Sequence, residues 1–385
     1  MIIKRALSAC VAAGITVAGL AGTGYASAEE LRFATGSAHN SLGSRALERF
    51  SEAVAEHSDS DLRVRGYVQS LLSFMETPAG LRDGIADLGH VLTPYFPSDF
   101  PNTILLTELT MALGQADVGD RDVMFAYNGA VADFVINDCP ECLQEHLDRN
   151  QIYLGMASTS PYGLACNGAV TSLDDIAGKR IRVAGAQWSR WVESMGGSPV
   201  SLPINETYEG LSQGVVDCTA SNLSDLLSFK FIEVISDLTM GVPAGTFGGV
   251  GTNMNADRWR SLSENDRKTV LYATAMASAR ILTLYYDDHL EVLKRFDEEE
   301  NLNLHSPKDD IVNATVEFIE QDIDTVAAHY NDRYGIANGK ERLEAFRSRL
   351  DEWLQKVEGI DSEEELANLY WDEVFSKVDV TSYGF

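Results

Sequence analysis

The chain has 385 residues and a formal charge of −28, from 30 Lys and Arg against 58 Asp and Glu. So acidic a surface repels nucleic acid and anionic membranes, and any anion it binds must meet a local cationic group. The length is enough for two domains, each with its own core.

Residues 1–28 read as an export signal. Lys4 and Arg5 form the basic start, Ala6 to Thr23 are apolar and small, and Ala26-Ser27-Ala28 has the form of a cleavage site. The lipobox-like Leu7-Ser8-Ala9-Cys10 leaves only four residues after Arg5, too few for an apolar region. Cleavage after Ala28 would leave 357 residues with a charge of −30 in the periplasm. No later stretch reaches the roughly 18 apolar residues of a membrane span, so no stable membrane insertion is expected. Four cysteines remain, an even number that favours disulfides over a metal in an oxidising compartment. Cys139-Pro140-Glu141-Cys142 lacks the introducing strand and aromatic residue of a redox motif. It follows an amphipathic helix (Val123, Ala126, Tyr127, Ala130, Phe134) and reads as a structural ring.

Leu31–Thr35 is a first strand, followed by a helix with Leu47, Phe50 and Val54 on one face. A strand at Leu62–Tyr67, a helix near Met75–Asp83 and a strand at Ala86–Val91 complete a βαβαβ unit. Pro94, Pro97 and Pro101 then mark an irregular segment carrying Tyr95, Phe96 and Phe100. Ile152–Met156 and Tyr162–Cys166 read as two strands. A second βαβαβ unit spans Gly178–Asn222. It has a strand at Arg180–Val183, a helix near Trp188–Met195 and an extended piece at Pro199–Pro203. A helix capped by Asn205 and an apolar strand at Gly214–Cys218 complete it. Gly241–Gly249 suits a hinge or site loop, and Phe247–Asn253 a returning strand. Ser263 caps a long helix, with Asp266 at its third position. Helices follow at about 308–330, 338–357 and 361–376. No internal repeat and no low-complexity tract is evident.

No HExxH, GxSxG or Walker-type loop occurs, and the seven histidines lack ligand spacing. Neither a metal nor another cofactor is expected, nor catalysis. Ligands of parallel α/β sheets sit beyond the carboxyl ends of the strands. Arg182 and the Cys218–Asn222 turn stand at two such ends. Arg182 is either a two-point grip for a carboxylate or one half of a structural ion pair.

The same stretch resembles the second-lobe signature of the solute-binding proteins of TRAP (tripartite ATP-independent periplasmic) transporters. The matching pieces are Gly178–Val183, Gly196-Gly197-Ser198-Pro199-Val200, Glu206-Thr207-Tyr208-Glu209-Gly210-Leu211 and Gly214–Asp217. Leu31-Arg32-Phe33-Ala34, Asp87 after Gly84, and Asn255 with Trp259 fall in register elsewhere. The resemblance implies two α/β lobes with a cleft between them and a long helix spanning them. It implies residues 29–155 plus about 246–300 in the first lobe, and 156–245 plus about 301–385 in the second. By the same resemblance Arg182 grips a ligand carboxylate. Ser221 stands where the family has a ligand-contacting Asn, with Asn222 as its substitute, and Tyr162 replaces a second arginine of the sialic-acid-type members. Tyr95, Trp188 and Phe247 are candidates to cover an apolar part of the ligand. The implied partners are a small organic acid and the TRAP membrane permease subunits. The alternatives are a binding protein of an ABC importer and an exported enzyme. Cys139–Cys142 is expected to close locally, leaving Cys166 and Cys218 to pair within the second lobe.

Overall fold

The computed structural model describes residues 29–115 and 118–385, so the export signal expected at residues 1–28 lies outside the described residues. Among the described residues, ten strands carry the architecture. They are β1 (Glu30–Thr35), β2 (Arg63–Val68), β3 (Leu88–Leu92), β4 (Gln151–Cys166) and β5 (Arg180–Val183), then β6 (Ser198–Ser201), β7 (Cys218–Asn222), β8 (Asp237–Thr239), β9 (Thr246–Asn255) and β10 (Asn303–His305). The main path runs β2-β1-β3-β9-β4-β7-β5-β6, with β8 and β10 branching from β4. In the first lobe β1 lies parallel between β2 and β3. In the second, β5 lies parallel between β6 and β7. The antiparallel pair β4 and β9 crosses from one lobe to the other.

Where the apolar pattern points to two strands, one strand of 16 residues runs through. Its middle, Ser158-Thr159-Ser160-Pro161, has no apolar alternation, yet its backbone stays paired with β9. Register shifts between Ala157 and Ser158, and between Ser158 and Pro161, absorb the bend where the strand changes lobes.

The lobes also share a repeated module that pattern reading misses. Thr77-Pro78-Ala79-Gly80-Leu81-Arg82-Asp83-Gly84-Ile85-Ala86-Asp87 corresponds to Thr207-Tyr208-Glu209-Gly210-Leu211-Ser212-Gln213-Gly214-Val215-Val216-Asp217. Gly84 and Gly214 both take positive φ, 71° and 65°, to leave a short helix. Ile85 and Ala86 donate to the Gly80 carbonyl, just as Val215 and Val216 donate to that of Gly210. Asp87 then grips Arg32 of β1 through its backbone N–H and guanidinium, and Asp217 grips Arg180 of β5 in the same way. Only the glycines, one leucine, the initial threonine and the aspartate are identical, too few for a repeat to stand out by eye. The module also corrects a boundary: Gly214–Asp217 is the turn and the strand begins at Cys218, because Gly214 must first reverse the chain. Asn205 is not a helix cap. Ile204–Glu206 forms a 3₁₀ turn, and the helix starts at Thr207.

The carboxyl-terminal helices divide differently from the expected boundaries. Helix Asp309–Tyr334 starts in the second lobe, where Ile311 joins its core, and ends beside Ile104 and Leu105 of the first through Val326 and Tyr330. Helices Gly339–Lys356 and Glu363–Glu373 pack wholly into the first-lobe core through Phe346, Trp353, Leu366 and Tyr370. Their apolar stripes cover the outer face of helix Asp120–Asn137. That helix is therefore buried on all sides from Val123 to Val135 rather than on one face. Helix Glu264–Glu298 spans both lobes, with Val270 to Tyr285 in the first core and Val292 and Phe296 in the second. Ser263 caps it by accepting from the Asp266 N–H, as its sequence announces. Both disulfides have the expected partners, Cys139–Cys142 and Cys166–Cys218. The second ties β4 to β7 at directly opposed residues.

Candidate ligand-binding cleft

Between the lobes lies a cavity of about 70 Å³. The second lobe supplies Arg182 from the end of β5, Asn222 from the end of β7, and Asp225 from the helix that follows. The first lobe faces them with Ser37, Phe74 and His90. Tyr162 and Phe247 of the crossing strands and Tyr285 of the long helix close the remaining sides. Both parallel strand ends contribute, which is where an α/β sheet leaves its backbone groups open to a ligand.

Arg182 is fully buried. Its Nε donates to the Leu202 carbonyl at 3.0 Å and its Nη2 to the Tyr95 hydroxyl at 3.3 Å. Nη1 has no partner among the described residues, and no ion pair involves this side chain. Its neighbour Arg180 makes the surface pair with Asp217 instead. The ion-pair alternative for Arg182 is thus not what the fold builds. A buried guanidinium with an unused donor carries a desolvation cost that an anionic acceptor would relieve. Tyr95 belongs to the first lobe. Its hydroxyl also accepts from the Ile204 N–H at 3.1 Å, so this one group bonds to two points of the second lobe.

Asp225 is the residue that sequence reading missed. Its carboxylate accepts from Ser221 Oγ and Asn222 Nδ2, both on Oδ2, and its backbone N–H donates to Asn222 Oδ1. Burial raises its pKa to about 6, against the lowering effects of Ser221, Arg182 and Asn222. Pattern alone could not flag it, since Leu-Ser-Asp-Leu-Leu reads as an ordinary helix start. Across the cavity His90 Nδ1 lies 3.0 Å from Thr35 Oγ1, and burial holds this imidazole neutral, with a pKa of about 4. Burial also raises the hydroxyl pKa values of Tyr95, Tyr162 and Tyr285.

Of the seven residues expected from the sequence, Arg182, Tyr95, Tyr162, Asn222 and Phe247 line the cavity. Trp188 and Ser221 are set back from it. Trp188 is fully buried, stacks against Tyr162 at 4.4 Å and Phe247 at 6.0 Å, and donates from Nε1 to the Ala244 carbonyl. It therefore backs two lining rings instead of forming the surface. Ser221 is buried and donates its hydroxyl to Asp225 Oδ2. Among the described residues, no three His, Cys, Asp or Glu side chains gather as metal ligands, and no helix is long and apolar enough to cross a membrane.

A family model for bacterial extracellular solute-binding proteins, family 7, matches residues 33–329. Among solved structures the chain is similar to a TRAP solute-binding protein of an unidentified marine microbe, described as specific for aromatic acid ligands. The identity is 18%, with 84% of this chain and 99% of that chain covered, at a TM-score of 0.72. It is similar too to the ectoine-binding protein of the TeaABC TRAP transporter of Halomonas elongata, at 20% identity, 84% and 100% coverage and a TM-score of 0.71. A Bordetella pertussis extracytoplasmic solute receptor that binds pyroglutamic acid gives 17%, 83%, 100% and 0.67. At these identities the likeness establishes the fold.

Proposed function

Since the chain belongs to family 7 of the bacterial extracellular solute-binding proteins, we propose that it captures a small organic acid in the periplasm and delivers it to TRAP membrane permease subunits. The observation that carries this reading is the buried Arg182 guanidinium, which has no acidic partner and keeps Nη1 unused at the wall of an inter-lobe cavity. A carboxylate there would accept from Nη1 and draw the lobes together. Tyr95 would then fasten the closed form that the permease recognises. Asn222, Tyr162 and Phe247 line the ligand's remaining surface in this reading, with Trp188 and Ser221 acting through their neighbours. The ligand is bound and moved, not transformed, and leaves the protein unchanged.

The test is isothermal calorimetry with an organic-acid ligand found by thermal-shift screening. Arg182→Ala should weaken binding by about 2–5 kcal/mol. Arg182→Lys should recover little of that, because an ammonium lacks the two-point geometry. Wild-type affinity in Arg182→Ala would refute the anchoring role. Recovery of a chemically altered acid after incubation would refute a purely binding function.

A further inference from the structure

The cavity holds one fixed cation and one fixed carboxylate, and a plain organic acid would answer only the first. Arg182 supplies the positive charge. Asp225 supplies the negative one, nine-tenths buried, and both of its side-chain hydrogen bonds fall on Oδ2. The titratable groups facing Asp225 are Arg182 of β5, Tyr95 of the loop after β3, Tyr162 of β4 and Tyr285 of the long helix. The three tyrosines are neutral, and across the cavity His90 is neutral as well. A monocarboxylate bound to Arg182 would therefore put a second negative charge into a small, dry space beside Asp225. Like charges in such surroundings are costly unless one of them takes up a proton. A ligand with its own cation removes that cost. The aromatic side chains of Phe74, Phe229 and Phe247 in the lining are compatible with a cationic body as well.

From this juxtaposition we propose that the ligand is a compact zwitterion, its carboxylate on Arg182 and its cationic nitrogen on Asp225. The proposal rests on the carboxylate-binding reading above and adds the ligand class and the residue that selects it. Amino acids, imino acids and cyclic amidine carboxylates belong to this class. The cavity favours its smaller members, being under half the roughly 150 Å³ that admits benzene in an engineered apolar core.

Matched pairs of probes test the idea without knowledge of the natural ligand. Each pair sets a zwitterion against the acid in which carbon replaces the nitrogen: alanine against isobutyrate, proline against cyclopentanecarboxylate, and β- and γ-amino acids against their alkanoates. Calorimetry at pH 7.5 in two buffers of different ionisation enthalpy gives both the affinity and the number of protons exchanged. In at least one pair the zwitterion should bind about tenfold or more tighter than its isostere, with no net proton uptake. In Asp225→Asn that preference should fall by about tenfold, while the isostere binds as well as before or better. Isosteres that match or exceed their zwitterions in the wild-type protein would overturn the proposal and leave the carboxylate-binding reading standing. An Asp225→Asn protein that folds and keeps the full preference would overturn it too. Failure of every member of every pair to bind would overturn the compact-zwitterion class and leave the carboxylate-binding reading to the Arg182→Ala calorimetry.

Discussion

Arg190, on helix Ala186–Ser194 of the second lobe, offers a sharp test of how the lobes are held together. Its Nε and Nη2 donate to both oxygens of Asp322, at 2.8 and 2.6 Å, and Nη2 also reaches Glu108 Oε2 at 2.8 Å. Tyr330 donates to the other Glu108 oxygen at 2.8 Å. Glu108 lies beside the first-lobe helix Pro101–Thr107, and Asp322 and Tyr330 lie on the helix that passes between lobes. The side chains of Arg190, Glu108 and Asp322 are 23%, 1% and 10% exposed, so solvent screens the cluster little. Arg190→Met keeps the packing of the stem and removes the charge. Two carboxylates then remain close together with only the Tyr330 hydroxyl as a donor. Breaking a buried pair in this way costs about 3–5 kcal/mol. For a chain of this size that is a fall in Tm of about 4–7 °C, read by circular dichroism at neutral pH. The double variant Arg190→Met with Glu108→Gln should recover part of the loss, because the unpaired charge is the source of the cost. Because the cluster spans the lobes, ligand affinity should weaken as well, through a smaller closed population. A Tm within about 2 °C of wild type would refute the assignment of this cluster as an inter-lobe brace.

Three further outcomes are expected. The Cys166–Cys218 bond closes a span of 52 residues, so replacing both by Ser should cost about 4 kcal/mol in denaturant unfolding; an unchanged midpoint would contradict this. Asp225 has a folded pKa of about 6, raised from an ordinary 3.8, so the folded state favours its protonated form. Its contribution to stability is fully present below pH 4 and is lost as the pH rises to 6, about 3 kcal/mol in all. The Tm of the wild type minus that of Asp225→Asn should therefore fall across that window, and a rise would reverse the assignment. Gly245 has φ +68°, and a Cβ there would lie 2.0 Å from the Thr110 carbonyl oxygen, which is main chain and cannot swing aside. Gly245→Ala should cost at least about 1–3 kcal/mol and disturb the joint before β9; an unaltered melting curve would show that this joint yields freely.

What the sequence determined by itself was local or periodic. Period-2 alternation located β1, β2 and β5, and the Ser263 cap located the start of the long helix. The even number of cysteines after residue 28 announced disulfides, and the family signature drew attention to Arg182, which the fold puts in the wall of the cavity. Those signals survive without tertiary context because each is a backbone or pairing requirement confined to a few neighbouring residues. Other features were decided only by packing. The run from Ser158 to Pro161 carries no strand pattern and is held extended by pairing with β9, its neighbour across the sheet. Helix Asp120–Asn137 looks amphipathic until residues 339–373 return from the far end of the chain to cover it. Trp188 looks like a surface for a ligand, but stacking between Tyr162 and Phe247 commits its ring to the core. Asp225 is an ordinary helix-start acid in the sequence. Burial beside Arg182 makes it a buried charge in the cleft, and burial follows from the contacts of elements far apart in the chain.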